Sequence, residues 1–158
     1  SDRPFPGYQA RPGVYALDVS TGKALWANQV SRSCDFKPSA SDSFGLEAMR
    51  KKSEEDNAAK QCSFHFSISA AVTATDDLLL AGGLDGILRA YDNRTGEVVW
   101  QTATAKAFKT SNGLEGHGGA IDVDGPVIAN GMLFIHSGYS MFGQLPGNVL
   151  LAFEIDEP

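Results

Sequence analysis

Apolar residues in this chain fall in short runs separated by turn formers, not at helical spacing. Val14-Tyr15-Ala16-Leu17 leads into Asp18-Val19-Ser20-Thr21-Gly22, and Ala24-Leu25-Trp26 follows. Short apolar runs rich in β-branched and aromatic residues and bounded by Gly, Asp and Asn read as strands. The same reading predicts strands over 78–81, 87–91, 98–102, 127–129, 133–137 and 149–155. Turns fall at 76–77, at 82–86 and at Asn130-Gly131, a two-residue hairpin signal. From 63 to 75 the pattern alternates, with Phe64, Phe66, Ile68 and Ala70 on one face and His65, Ser67 and Ser69 on the other. Residues 67–72 are therefore expected to open a four-stranded unit that continues through 78–81, 87–91 and 98–102. Residues 118–123 are expected to open a second such unit. Residues 31–61 differ in kind, being rich in Ser, Asp and Lys. Leu46 and Met49 stand three apart among helix formers at 45–61, which is consistent with one exposed helix. Lys51-Lys52 and Glu54-Glu55-Asp56 read as a solvated face, with a docking surface as the alternative.

The runs repeat. Residues 16–26 read ALDVSTGKALW and residues 90–100 read AYDNRTGEVVW, so A-x-D-x-x-T-G-x-x-x-W occurs twice. Residues 147–156, GNVLLAFEID, form a third copy that stops at the turn, with Glu154 in place of the Asp. In each complete copy a strand ends at a carboxylate that can bond the amides beyond it, Gly supplies the positive φ of a tight turn, and the returning strand ends in Trp. Internal repetition of this kind signals an array of similar units.

The repeat resembles the tryptophan-docking motif of the quinoprotein β-propellers, whose dehydrogenase members carry pyrroloquinoline quinone (PQQ). With 83–92 and 116–139 added, the stretch from about 67 to 156 resembles the C-terminal part of polyvinyl-alcohol dehydrogenase-like proteins. The likeness is weak over 31–66. The resemblance implies an all-β fold: propeller blades of four antiparallel strands, about two to three of them present, interrupted by a helical or loop insertion at 31–62. Residues 1–158 would then form part of one propeller domain. A blade takes roughly 40–50 residues and a ring usually needs four or more. A partner chain or segment supplying the remaining blades is therefore expected, because blades bury their apolar faces only against neighbours.

Length and composition fit one ordinary soluble domain: 158 residues, 42% hydrophobic and 20% charged. The net charge of −6 argues against nucleic acid or an anionic membrane as partner. No apolar run approaches the ~20 residues of a membrane helix, and the opening Ser1-Asp2-Arg3-Pro4 lacks the apolar core of a signal peptide. Cys34 and Cys62 either remain thiols or close a long loop, for a stabilisation of about 3 kcal/mol. A disulfide would suit an oxidising compartment, and periplasmic or extracellular placement is expected.

By resemblance, PQQ and Ca²⁺ would sit near the propeller axis and an alcohol would be oxidised there, the protein supplying position and a base. The segments placed nearest the axis are 67–72 and 118–123. The candidate cofactor contacts are Ser69, Lys109, Asn112, His117, Gly118 and Gly119. The two glycines would let backbone approach a flat ligand, with ordinary turn and strand chemistry as the alternative. His117 stands where such relatives carry another polar residue, and a solvated loop histidine is the competing reading. His65 and His136 read as packed strand histidines, and Tyr139 as a packed aromatic. Asp122-x-Asp124-Gly125 is half of a calcium loop without its later ligands. Asn93-Arg94-Thr95 is a formal glycosylation sequon inside the repeat's own turn. Phosphate-loop, nucleophile-elbow and haem-attachment patterns are absent, as is an adjacent cysteine pair. Two further readings stay open: a non-catalytic scaffold of the same superfamily, and a pigment or ligand carrier reusing the central cavity.

Overall fold

In the computed structural model, the described residues are 11–30, 67–139 and 144–154. The expected helix and the Cys34–Cys62 pairing lie outside them. Every regular element among the described residues is a strand. β1 (Gly13–Leu17) and β2 (Ala24–Gln29) form an antiparallel hairpin. β3 (Thr73–Ala74), β4 (Leu78–Gly82), β5 (Ile87–Asp92) and β6 (Val98–Ala103) form one four-stranded antiparallel sheet in chain order. β7 (Ala107–Lys109) pairs with β8 (Glu115–His117). β9 (Val127–Ala129), β10 (Met132–Ser137) and β11 (Val149–Glu154) form a three-stranded sheet with β10 central.

The repeat fixes how these sheets correspond. β1, β5 and β11 are its first strands, and β2 and β6 its returning strands. The described residues therefore show parts of three successive blades: the outer hairpin of one, four strands of a second, and three strands of a third. The register shifts at the same place in both complete copies, between Ala16 and Leu17 and between Ala90 and Tyr91. The two turns match atom for atom. Asp18 Oδ1 accepts from the amides of Ser20 (3.0 Å) and Thr21 (2.8 Å), and Asp92 Oδ1 from those of Arg94 (2.8 Å) and Thr95 (2.9 Å). Gly22 and Gly96 sit at φ +68° and +73° and donate back to the carbonyls of Asp18 and Asp92.

The tryptophan joins neighbouring blades. Trp26 Nε1 donates to the Asn93 carbonyl at 2.8 Å, and its indole lies on Gly96. Asn28 Nδ2 adds a bond to the Gly96 carbonyl at 2.9 Å. The first blade's indole is thus seated on the second blade's turn. Trp100 meets Phe153 of the third blade edge to face, with centroids 5.9 Å apart, a favoured aromatic arrangement.

Two apolar layers fill the spaces between blades. Val14, Ala81 and Tyr91, with Trp26, Ile68 and Leu79, lie between the first and second. Ala70, Leu88, Ile121 and Ile135, with Leu133, Leu151 and Phe153, lie between the second and third.

Two expected strands are not strands. Residues 67–70 alternate in hydrophobicity and 118–123 (GGAIDV) do not, and in both segments the backbone groups make isolated bonds instead of a continuous ladder. Leu84 N donates to Ser67 O, Ile121 N to Gly83 O (both 3.0 Å), and Ala120 N to Leu145 O at 2.8 Å. They are extended lead-ins to β3 and β9. The β7–β8 hairpin was not expected; its strands are three residues each and carry Lys, Glu and His.

Candidate functional site

The meander β3–β6 sorts its connections to two ends. The β3–β4 and β5–β6 turns meet at one end, where Asn93 N donates to Asp77 O at 2.9 Å and Arg94 pairs with Asp77. The β4–β5 turn and the exit of β6 meet at the other, where Thr104 N donates to Gly86 O at 2.7 Å. The β7–β8 hairpin, the 118–123 lead-in and the β10–β11 connection gather at this second end. Gly118 N bonds Lys106 O, Gly138 N bonds Ala120 O, and Asn148 N bonds His117 O. Lys109, Asn112, His117, Gly118 and Gly119 therefore share one end of the blades. Ser69 lies just inside the other lead-in, which starts there through the Ser67–Leu84 bond.

Two polar pairs lie buried in this end. The Thr104 hydroxyl donates to Gly86 O at 2.9 Å and stands 2.7 Å from Ser137 Oγ. Ser137 Oγ accepts from Gly119 N at 2.9 Å and lies 3.0 Å from Gly119 O. Two hydroxyls thereby join the second blade, the lead-in and the third blade. Gln144 Nε2 donates to Asp122 Oδ2 at 2.7 Å, and Asp122 Oδ1 accepts from the Val123 amide. Sequence reasoning missed the hydroxyl pair and Gln144. Their partners are 18 to 33 residues apart in the chain, and a lone Thr, Ser or Gln carries no spacing signal.

The remaining candidates divide between residues engaged within the chain and exposed ones. A Cβ on Gly118 would strike the Thr104 carbonyl and one on Gly119 the Leu145 and Pro146 carbonyls. The close approach these glycines permit is to the protein's own backbone. Asn112 Oδ1 accepts from the Leu114 amide at 3.1 Å and the Thr110 hydroxyl at 2.6 Å, closing the hairpin tip. His117 N donates to Asn148 Oδ1 at 2.9 Å. Lys109 is exposed and stands across the ladder from Glu115, and Ser69 is exposed. A planar quinone bearing carboxylates needs flat apolar faces and donors aimed into open space. The described residues do not form such a cradle.

The half calcium loop is not assembled either. Asp122 is buried with Gln144, whereas Asp124 is exposed and faces His136 Nδ1 at 3.6 Å. His136 is exposed, against the expectation of a packed histidine, because its side of β10 faces away from the second blade. Among the described residues no group of three or more His, Cys, Asp or Glu could hold a metal ion. Tyr139 is also exposed. Asn93 of the sequon uses its amide within the fold, donating to Thr75 O at 2.6 Å.

The carboxylates with lowered pKa lie at the opposite end. Hydroxyl bonds from Ser20 and Thr21, with amide bonds behind them, hold Asp18 down at about 2. The amides of Thr95 and Arg94 lower Asp92. They stabilise turns.

Comparison with known proteins agrees with the repeat. A family model described as outer membrane protein assembly factor BamB (PQQ_2) matches residues 10–157. A polyvinylalcohol dehydrogenase from Pseudomonas sp is 36% identical over 156 residues, covering 92% of this chain and 21% of that protein. One from Sphingopyxis sp. is 32% identical, covering 94% of this chain and 21% of that protein. The quinoprotein alcohol dehydrogenase PedH of Pseudomonas putida is 28% identical over 84% of this chain and 25% of its own length. The chain thus spans about a fifth of the polyvinylalcohol dehydrogenases it matches. The crystal structure of BamB from Moraxella catarrhalis aligns with a TM-score of 0.46 at 21% identity, over 87% of this chain and 31% of that one.

Proposed function

This chain belongs to the PQQ-type β-propeller family, and we propose that it builds consecutive blades of a propeller similar to the polyvinyl-alcohol type of PQQ-dependent alcohol dehydrogenase. The observation that carries this reading is the 36% identity to a polyvinylalcohol dehydrogenase across 92% of the chain. The complete propeller would oxidise an alcohol, PQQ with Ca²⁺ near the axis accepting the electrons. This chain's part is to shape one end of the ring. Lys109 and His117 approach the mouth from the β7–β8 hairpin, while Gly118 lets the Thr104 carbonyl, and Gly119 the 145–146 backbone, close in behind them. A second chain or chain segment supplies the other blades, and the complete protein works in the periplasm or outside the cell.

A specific observation favours a second reading, a non-catalytic scaffold. The buried polar side chains at this end, and Asn112 on the hairpin, bond within the chain, as a structural role requires. One experiment separates the two. The completed propeller is supplied with PQQ, Ca²⁺, an artificial electron acceptor and an alcohol. Acceptor reduction that depends on both the quinone and the alcohol is the expected result. A folded propeller that retains no quinone and reduces no acceptor is the scaffold.

A further inference from the structure

Val123 holds a backbone conformation that its own side chain opposes. Its φ is +66°, in the left-handed region, and branching at Cβ makes that region a true outlier for valine. Among the described residues the other non-glycine at positive φ is Asn130 (+51°), inside the Asn-Gly turn that calls for it. Val123 closes no hairpin; it stands between the 118–123 lead-in and β9. The Asp124 amide donates to the Asp122 carbonyl at 2.9 Å, which closes a three-residue turn around Val123. With a positive central φ this is the strained form of the γ-turn. Glycine would adopt it without strain. Burial does not offset the strain either, because the valine is 53% exposed.

The turn is held from both sides. Asp122 is buried: its Oδ1 accepts from the Val123 amide at 2.8 Å and its Oδ2 from Gln144 Nε2 at 2.7 Å. Asp124 is exposed, with Oδ2 3.6 Å from His136 Nδ1. The Val123 carbonyl accepts from Ala71 N at 3.5 Å. Gly125 lies so close to the other lead-in that a Cβ on it would be 2.3 Å from the Ala71 carbonyl oxygen. The Val123 amide is thus fixed by a carboxylate that is itself fixed by Gln144, on the β10–β11 connection. That connection also receives Ala120 N on the Leu145 carbonyl at 2.8 Å.

We infer that residues 122–124 form a spring-loaded turn: the Asp122 carboxylate, clasped by Gln144, holds Val123 in its strained form, and withdrawal of Gln144 lets the Val123 backbone relax to negative φ. Strained residues persist where their surroundings over-determine them, and they cluster at clamps and switches. The clasp joins the β10–β11 connection to the lead-in. The relaxed form gives up the Asp124–Asp122 and Ala71–Val123 bonds, so the lead-in that carries Gly118 and Gly119 loses its fixed far end. The connection and the lead-in therefore change together. The device is independent of quinone chemistry, and a propeller without dehydrogenase activity leaves it intact.

The test is a double-mutant cycle read by thermal melting of the 158-residue chain. Val123→Gly removes the strain and is expected to raise the midpoint by about 3 °C. Val123→Ile, equally branched, is expected to leave it unchanged. A midpoint that does not rise with Val123→Gly, or that rises as much with Val123→Ile, overturns the proposal. Gln144→Leu removes the clasp and is expected to lower the midpoint of the native chain, and by less than half as much in the Val123→Gly background, where the turn needs no clasp. Equal losses in the two backgrounds overturn it. Hydrogen exchange on the Val123→Gly chain gives a second reading that needs no Gln144 variant. The Asp124 amide is expected to slow more than the Tyr91 amide, because local opening at the turn becomes rarer; equal slowing at the two overturns the proposal.

Discussion

Gly96 answers to two constraints, and substitution separates them. Its φ of +73° disfavours any side chain, and a Cβ would press into the Trp26 indole, 2.6 Å from Cδ2. Gly22 has nearly the same φ, +68°, with nothing within 4 Å. Gly22→Ala is expected to cost about 1 kcal/mol, the strain of the left-handed conformation alone. Gly96→Ala adds the loss of the docked indole, and its urea midpoint should fall well below that of Gly22→Ala; equal midpoints would show that the Trp26 contact contributes nothing. Tyr91 offers the opposite case. It is fully buried, and among the described residues its hydroxyl finds no hydrogen-bond partner; burial raises its pKa. Leu17 and Phe153 hold the equivalent positions, so the repeat asks only for an apolar side chain there. Tyr91→Phe removes an unsatisfied group and is expected to stabilise the fold by about 1 kcal/mol, read by the same unfolding curve. Asp18 sets a pH dependence. Its pKa is lowered to about 2 in the fold, against about 3.9 in an unfolded chain. A lowered carboxylate pKa means that its stabilisation is present above pH 4 and is lost as pH falls toward 2. Asp18→Asn should flatten the acid limb of the stability profile in that window.

At the scale of elements, the hydroxyl pair is the joint most open to test. Ser137→Ala leaves the Gly119 amide buried without its acceptor and Thr104 without its neighbour, at a cost of about 1–3 kcal/mol. Calorimetry reads this as a lower midpoint, and an unchanged one would mean that water replaces the hydroxyl. The sequence made the repeat legible because its chemistry is local: Asp92 bonds amides two and three residues on, and Gly96 closes the turn at the fourth. The docking of Trp26 was legible for a related reason, since the repeat supplies both the indole and its seat. The 67–72 lead-in misled because Ile68 and Ala70 alternate with serines as a strand would, while its backbone makes isolated bonds, Ser67 O to Leu84 N on its own blade and Ala71 N to Val123 O on the next. The β7–β8 hairpin escaped notice because AFK and EGH are too short and polar to stand out. The end where the candidate residues gather was only half visible. Gly118 and Gly119 marked a close approach, but that it is made to Thr104 and to 145–146 depends on contacts far apart in the chain.

Across the whole molecule, order should follow how many blades flank each strand. Repeat units gain stability from their neighbours as well as from themselves, and amides exchange according to the local opening free energy. β5 has strands on both edges and blades on both faces, with Leu88 packed one way and Tyr91 the other. Among the described residues β11 has one strand neighbour, β10, and one covered face, and β1 has β2 alone beside it and packs through Val14. Hydrogen exchange on the chain alone should therefore show its slowest amides in β5, at Ala90 and Tyr91, with faster exchange in β1 and β11. Uniform protection across the three strands would mean that the chain opens as one cooperative body and that its outer faces gain nothing from further blades.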